Sequence, residues 1–384
     1  MNDDTGAGKS GQSNVEPSGS DESSSEPARP AEREQRPELR TIALALVIGT
    51  VGGAAANWVG LPLAWMIGAM VFTTIASIVG APVAMAPTAR SMMVTVLGVM
   101  LGSAFAPGMA GRILDWWPTI AILTIYCATI TGVLMVYFHK VAGHSWTTSY
   151  FAGAPGGLNE MIIVGGEMGG DVRTIALVHG ARVLLVVLVV PFGFMLIGDY
   201  DQAARPPSGD AFTSLGARDI ALLTACGVIG ALGGRAIRLP AAFVTGPMIL
   251  SAVVHLTGLT SSRPPTELIA AAQVVMGTAV GCRFAGVPLR IIGRTLAEAA
   301  GSTTIMLGLT LLFALLLQPL AETSFQAIVL SFAPGGLAEM SLIALALGID
   351  AAFVSTHHII RIIIVVIAAP IIFRLLKRRQ ATKT

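Results

Sequence analysis

From Thr41 to Arg374 the chain is a succession of twelve apolar segments, each close to bilayer-crossing length, separated by short polar or Gly/Pro-rich breaks. A helix needs roughly 20 apolar residues to span the hydrocarbon core. In lipid such segments must also satisfy their backbone groups internally, which leaves helices as the building unit. The segments run approximately 41 to 59, 61 to 80, 90 to 107, 116 to 138, 148 to 167 and 173 to 197, then 218 to 236, 239 to 258, 267 to 285, 300 to 318, 325 to 347 and 351 to 374. Only 12% of the 384 residues are charged, about half of what soluble domains carry. The first 40 residues hold 9 of the 22 acidic and 5 of the 24 basic ones, so the other 344 carry 13 acidic plus 19 basic, or 32 charges. That is too few to cover a water-facing surface of this size. The reading is an all-α polytopic membrane protein whose first partner is the lipid bilayer.

A net charge of +2 gives no basic field for gripping nucleic acid, so none is expected as a partner. Basic residues gather instead at the end, in Arg374, Lys377, Arg378, Arg379 and Lys383, as in a cytoplasmic anchor. Residues 1 to 40 are rich in Ser, Glu, Gly and Pro and read as a disordered cytoplasmic tail without a signal-peptide core. Gly6 to Ser10 imitates the end of a phosphate-binding loop, but Asp3 stands where the first glycine is needed and no strand precedes it. Cys127, Cys226 and Cys282 lie in or at the end of apolar segments without paired spacing, and read as packing residues.

The segments form two sets. Ala154-Pro-Gly-Gly-Leu-Asn-Glu-Met161 recurs as Ala333-Pro-Gly-Gly-Leu-Ala-Glu-Met340, an offset of 179 that also carries Asp171 onto Asp350, His179 onto His358, Arg182 onto Arg361 and Pro191 onto Pro370. Gly98, Gly102 and Phe105 map onto Gly277, Gly281 and Phe284 at the same offset. At 178, Gly52, Pro62 and Gly68 map onto Gly230, Pro240 and Gly246. So many matches in register predict a duplicated unit: repeat 1 over 41 to 200, a linker over 201 to 217, repeat 2 over 218 to 375 and a basic cytoplasmic tail over 376 to 384.

Positive-inside counting chooses the topology. If all twelve segments cross, five inter-segment Lys and Arg face the cytoplasm against seven outside. If the Pro-Gly-Gly segment of each half enters and leaves on one side, Arg90, Lys140, Arg173, Arg235, Arg238, Arg283, Arg290 and Arg294 lie inside, and Arg112, Arg205, Arg218 and Arg263 outside, eight against four. The preferred architecture is two inverted repeats, each with about five spanning helices plus a broken or re-entrant Pro-Gly-Gly segment, and both termini cytoplasmic. An interrupted helix that crosses fully is the competitor.

Pro155, Gly156, Gly157 and Pro334, Gly335, Gly336 break apolar runs, since proline blocks helical hydrogen bonding and paired glycines permit other backbone shapes. Such a break in lipid must be buried in protein or line a watery cavity. Each break precedes a helix starting Leu-Asn-Glu or Leu-Ala-Glu, placing Glu160 and Glu339 at a positive helix end. Broken helices facing one another near the midplane are where secondary transporters bind solute and coupling ion. Together with Asn159, which becomes Ala338 in the second copy, these are the candidate solute and ion ligands. The alternative is that each Glu pairs structurally with Arg182 or Arg361. His179 and His358 sit three residues before those arginines, as proton relays or as plain interhelical hydrogen bonds. Glu167, Asp171 and Asp350 read as solvated or capping, and the two G-x-x-x-G spacings as packing sites. Pro62 and Pro240 are expected in the first turn of their helices. No histidine, cysteine or carboxylate spacing suggests a metal, so no cofactor is expected.

The duplicated unit closing on A-P-G-G-L-x-E-M resembles the AbrB-type bacterial membrane family over about residues 41 to 375. The resemblance implies a multi-pass protein of the bacterial inner membrane but supplies no settled substrate or functional residues. Some members carry an ammonia monooxygenase label, for which no copper or iron ligand set can be assembled here; another is described as a regulator of an alkylation-response gene. It is similar to the soluble DNA-binding AbrB regulators in name only. The expectation is a secondary transporter, not an enzyme, for a small solute driven by protons or sodium. The alternative is a membrane sensor that affects gene expression, and a metal-dependent monooxygenase comes third. A homo-oligomer is compatible with all three.

Overall fold

The computed structural model describes residues 37 to 197 and 209 to 381. The phosphate-loop imitation, nearly all of the proposed N-terminal tail, the first half of the linker and the last three residues lie outside them. Fifteen α-helices make up the described chain. The first half holds α1 (Leu39–Trp58), α2 (Ala64–Ile78), α3 (Pro87–Gly102), α4 (Met109–Leu114), α5 (Trp117–Lys140), α6 (Trp146–Gly153), α7 (Leu158–Glu167) and α8 (Val172–Ile197). The second holds α9 (Ala217–Ala236), α10 (Ala242–Leu256), α11 (Thr266–Gly281), α12 (Leu289–Leu317), α13 (Phe325–Phe332), α14 (Leu337–Ala346) and α15 (Ala351–Ala381).

Seven helical stretches, at α1, α5, α8, α9, α11, α12 and α15, are long and apolar enough to cross a membrane. They differ in surroundings: most residues of α8 and α11 are buried in protein, whereas most residues of α1, α5, α9, α12 and α15 are partly or fully exposed, as on lipid-facing helices. The chain thus has the fabric of a polytopic membrane protein. Helix ends follow local chemistry. Glycines with φ between +66° and +87° follow α2, α7, α10 and α14 at Gly80, Gly169, Gly258 and Gly348, a backbone region that other residues enter at a steric cost. Pro62 and Pro240 fall one residue before the N-caps of α2 and α10, not in the first turn, because Leu63 and Ala241 take left-handed φ of 49° and start each helix one residue later. Helix α15 runs on into the basic end, to Ala381.

Glycines set the closest helix contacts. In the first half Gly52 abuts Gly68 and Gly53 abuts Trp65; in the second Gly230 abuts Pro247 and Gly234 abuts Ala242. In both pairs a higher number on the first helix meets a lower one on the second, so α1 and α2, like α9 and α10, are antiparallel. Between halves the order is reversed. Gly98 and Gly102 of α3 lie on the carbonyls of Val244 and Met248 of α10, while Gly277 and Gly281 of α11 lie on Met66 and Met70 of α2. These two contacts are therefore parallel, and each half lends its second helix to the third helix of the other. The small-residue spacing does what close backbone approach requires.

Candidate functional site

The two Pro-Gly-Gly segments are helix, break, helix. Ser145 and Ser324 cap α6 and α13, each accepting a backbone N–H three residues on at 3.2 Å. Helix α6 stops at Gly153 and α7 starts at Leu158; α13 stops at Phe332 and α14 starts at Leu337. The first segment turns back on itself. Gly165 of α7 packs on Phe151 of α6, and the Asp171 N–H donates to the Thr148 hydroxyl at 3.0 Å. A continuous helix would hold Phe151 and Gly165 about 20 Å apart. Asp171 and Asp350 cap α8 and α15, with Asp171 accepting from the N–H groups of Arg173 and Thr174 and Asp350 from that of Phe353. The Thr174 hydroxyl, joined by these backbone donors, holds the Asp171 carboxyl below the usual carboxylate range.

Both breaks open on one cavity of about 430 Å³. Gly156, Gly157, Asn159 and Glu160 line it from the first half, Gly335, Gly336 and Glu339 from the second, and Arg182 and Arg361 from behind. Glu160 is half-buried and its Oε1 accepts the Ala241 N–H at 3.2 Å, tying the α7 helix start to the α9–α10 connection. Glu339 is 8% exposed. Each carboxylate folds over the second glycine of its own break: Oε2 of Glu160 and of Glu339 occupies the space a Cβ would need at Gly157 or Gly336. Bare glycine is required there because a side chain would collide with the carboxylate that lies over its own helix start.

The arginines do not pair with these carboxylates. Ion pairs among the described residues lie elsewhere, at Glu298, which meets His144 at 2.8 Å and Arg294 at 2.7 Å. Arg361 spends its fork on the second break, donating to the carbonyls of Ala333 at 2.6 Å and Gly335 at 2.7 Å. Arg182 holds no carbonyl: one amino group meets His179 Nδ1 at 2.8 Å, the other meets the Met306 sulfur at 4.0 Å, and Nε has no partner. His179 donates from Nε2 to the Phe151 carbonyl and His358 to that of Leu330, both at 2.9 Å, each accepting from its arginine at Nδ1. Both rings are thus bridges behind the cavity wall. Pro155 and Pro334 are buried behind it too.

Two further wall residues escaped the sequence reading. Arg90 at the start of α3 and Arg283 just after α11 line the same cavity, both half-buried. Neither recurs in the other half, where Leu268 or Ile269 and Ala104 stand in their places, so a search guided by repetition passes over them. The three cysteines are free. Among the described residues no three His, Cys, Asp or Glu side chains converge as a metal would need.

A second pocket, of about 320 Å³, lies between α4, the start of α5 and the α12–α13 connection, with Phe353 in its wall. Phe353 packs edge-on against Trp116 at 5.3 Å between ring centres and over His357 at 4.0 Å. His357 also meets Thr119 at 2.8 Å. Along α15, Phe353 and Arg361 are eight residues, about 12 Å, apart.

Known proteins align with this chain over most of its length. An uncharacterized protein of Bacillus subtilis strain 168, YhjN, is 29% identical over 371 residues, covering 88% of this chain and 94% of its own. A protein of Escherichia coli K12, provisionally named a regulator, AbrB, is 26% identical over 326 residues, covering 82% of this chain and 90% of its own. The model of the family described as transition state regulatory protein AbrB matches residues 65 to 377, a stretch that takes in both breaks and every charged residue of the cavity, and the chain belongs to that family.

Proposed function

We propose that the protein is a secondary transporter of a small solute in the bacterial inner membrane, built from two inverted repeats and with both termini cytoplasmic. The observation that carries this reading is the meeting of two broken segments, each with its own carboxylate, at one 430 Å³ cavity. Helix directions support the inversion. If α1 runs outward, α2 runs inward, α11 runs inward beside it, and α10, joined to α11 by residues 257 to 265, runs outward. Helix α9, antiparallel to α10, then runs inward, opposite to α1.

Ten crossings result when α2, α3 and α10 join the seven long helices, with α6–α7 and α13–α14 re-entering from opposite sides. The cavity then opens inward, on the side of the start of α3 and the α9–α10 connection. The Phe353 pocket faces outward, with about 12 Å of packed helix between it and Arg361. Alternating access needs only such a thin barrier. A proton or sodium ion at Glu160 or Glu339 is the natural coupling partner, because a carboxylate at membrane depth favours a bound cation.

Uptake into proteoliposomes tests this. Wild type is expected to accumulate solute from cell extract only under an imposed proton or sodium gradient, and Glu160→Gln and Glu339→Gln to lose that dependence. Unchanged uptake in both variants would sink the assigned site. The name of the Escherichia coli relative raises a regulatory role. A transporter would meet it indirectly, by changing the level of a signalling solute. Deleting residues 1 to 38 separates the two, since transport survives the deletion and a signal carried by the tail does not.

A further inference from the structure

The cavity wall carries four guanidinium groups, Arg90, Arg182, Arg283 and Arg361, against two carboxylates, Glu160 and Glu339, an excess of two positive charges. Glu160 accepts the Ala241 N–H, Glu339 lies over Gly336 at its own helix start, and none of the six side chains is ion-paired within the described protein. Arg361 is consumed by the carbonyls of its break. Arg182, its counterpart, is 5% exposed and has no oxygen partner at either amino group, while the Nε of both arginines is unsatisfied. A buried charge without a counter-ion is costly, and the cost is removed when an anion arrives with the right geometry. A planar guanidinium fork is the group that matches carboxylate or phosphate oxygens. Arg90 and Arg283, half-buried on the α3 and α11 wall, extend the positive field toward the mouth.

We propose that the cavity is an anion site, in which Arg182 holds the carboxylate or phosphate group of a small solute and Arg90 and Arg283 draw it in. The proposal rests on the transporter reading only in naming the charge of the cargo; the site would bind whether or not it transports. Arg361 is a positioning residue that shapes the second break.

The test is thermal unfolding of the purified full chain in detergent with succinate, inorganic phosphate or choline at matched ionic strength. Succinate or phosphate is expected to raise the midpoint saturably, by roughly 3 °C or more at a hundredfold excess over Kd, and choline to leave it unchanged. Which anion acts says whether the group held is a carboxylate or a phosphate. Arg182→Gln is expected to weaken the response at least tenfold in concentration, while Arg294→Gln, outside the cavity, keeps it. If Arg182→Gln does not fold, Arg283→Gln is read instead, with roughly fivefold weakening expected from the loss of one nearby charge. The proposal is overturned by a response to choline, by silence of both anions, or by equal responses in the cavity variant and Arg294→Gln. An anion that binds but is not taken up by proteoliposomes sinks the transporter reading and leaves the site standing; gradient-driven uptake without anion binding does the reverse.

Discussion

Replacing Gly98 by alanine is the sharpest probe of how the halves are joined. A Cβ there would lie 2.6 Å from the Val244 carbonyl oxygen and 3.2 Å from its Cα. Ordinary contact begins near 3.4 Å, so α3 and α10 must part by about 0.8 Å, the difference between 3.4 and 2.6. The obstacle is helix backbone, which cannot swing aside as a side chain can. A gap of 0.5 to 1 Å forfeits a quarter to a half of each dispersion contact along the seam, and overpacking of this kind costs about 1 to 3 kcal/mol. Alanine returns about 1 kcal/mol as a better helix former, leaving a net loss of up to about 2 kcal/mol. Gly132 and Gly308 supply the control, since a Cβ at either meets nothing within 4 Å. Alanine there should be neutral or stabilise by up to about 1 kcal/mol.

The assay is reversible unfolding in mixed micelles with added SDS, where the two classes should differ by about 2 kcal/mol, more than tenfold in the unfolding constant. Gly281→Ala, with Thr74 N at 2.7 Å and Met70 O at 3.0 Å from the new Cβ, should behave like Gly98→Ala. It should also disturb solute binding, because Arg283 lies two residues later on the cavity wall. Equal stability of Gly98→Ala and Gly308→Ala would refute the backbone-contact argument.

Arg361→Gln strips the Ala333 and Gly335 carbonyls of their donors and should destabilise by about 2 to 4 kcal/mol more than Arg182→Gln, which strips none; matching thermal midpoints would contradict the asymmetry between the arginines. Reporter fusions after Gly111, Asp171 and Gly209 should report outside, inside and outside; an outside signal at Asp171 would mean that the first broken segment crosses fully. Because the Asp171 carboxyl is held below its ordinary range, its capping contribution is complete above about pH 4, its unfolded value, and fades as pH falls through the lower folded value. The thermal-midpoint gap between wild type and Asp171→Ala, corresponding to about 1 kcal/mol at pH 7, should therefore shrink at pH 3, and a gap that widens would show the sign to be wrong.

Much of this was legible in the residues. Apolar length and scarce charge announce spanning helices because lipid admits little else, and Pro and Gly mark where the Pro155 and Pro334 segments break, since their effect on the backbone is local. Capping by Asp171 and Asp350 is equally local. Less legible were the prolines outside α2 and α10, because an unforeseen left-handed residue at Leu63 and Ala241 delays each helix. The α12 helix begins at Leu289, well before its apolar stretch, because Arg290, Arg294 and Glu298 extend it with polar turns. Arg90 and Arg283 were hidden, since nothing in their neighbours along the chain tells a loop charge from a cavity charge.

The sequence by itself determined the all-helical membrane fabric, the twofold recurrence of motifs and the identity of the two break carboxylates. Those depend on hydration, backbone sterics and spacing, all of which act within a few residues. Only the tertiary structure decided that the α6–α7 segment doubles back, that α3 lies on α10 and α11 on α2, and that Arg361 is consumed by backbone carbonyls while Arg182 is not. Matching residues of a recurring motif carry the same local instructions. Whether each finds a partner depends on which distant atoms arrive beside it, and that is settled by packing between segments far apart in the chain.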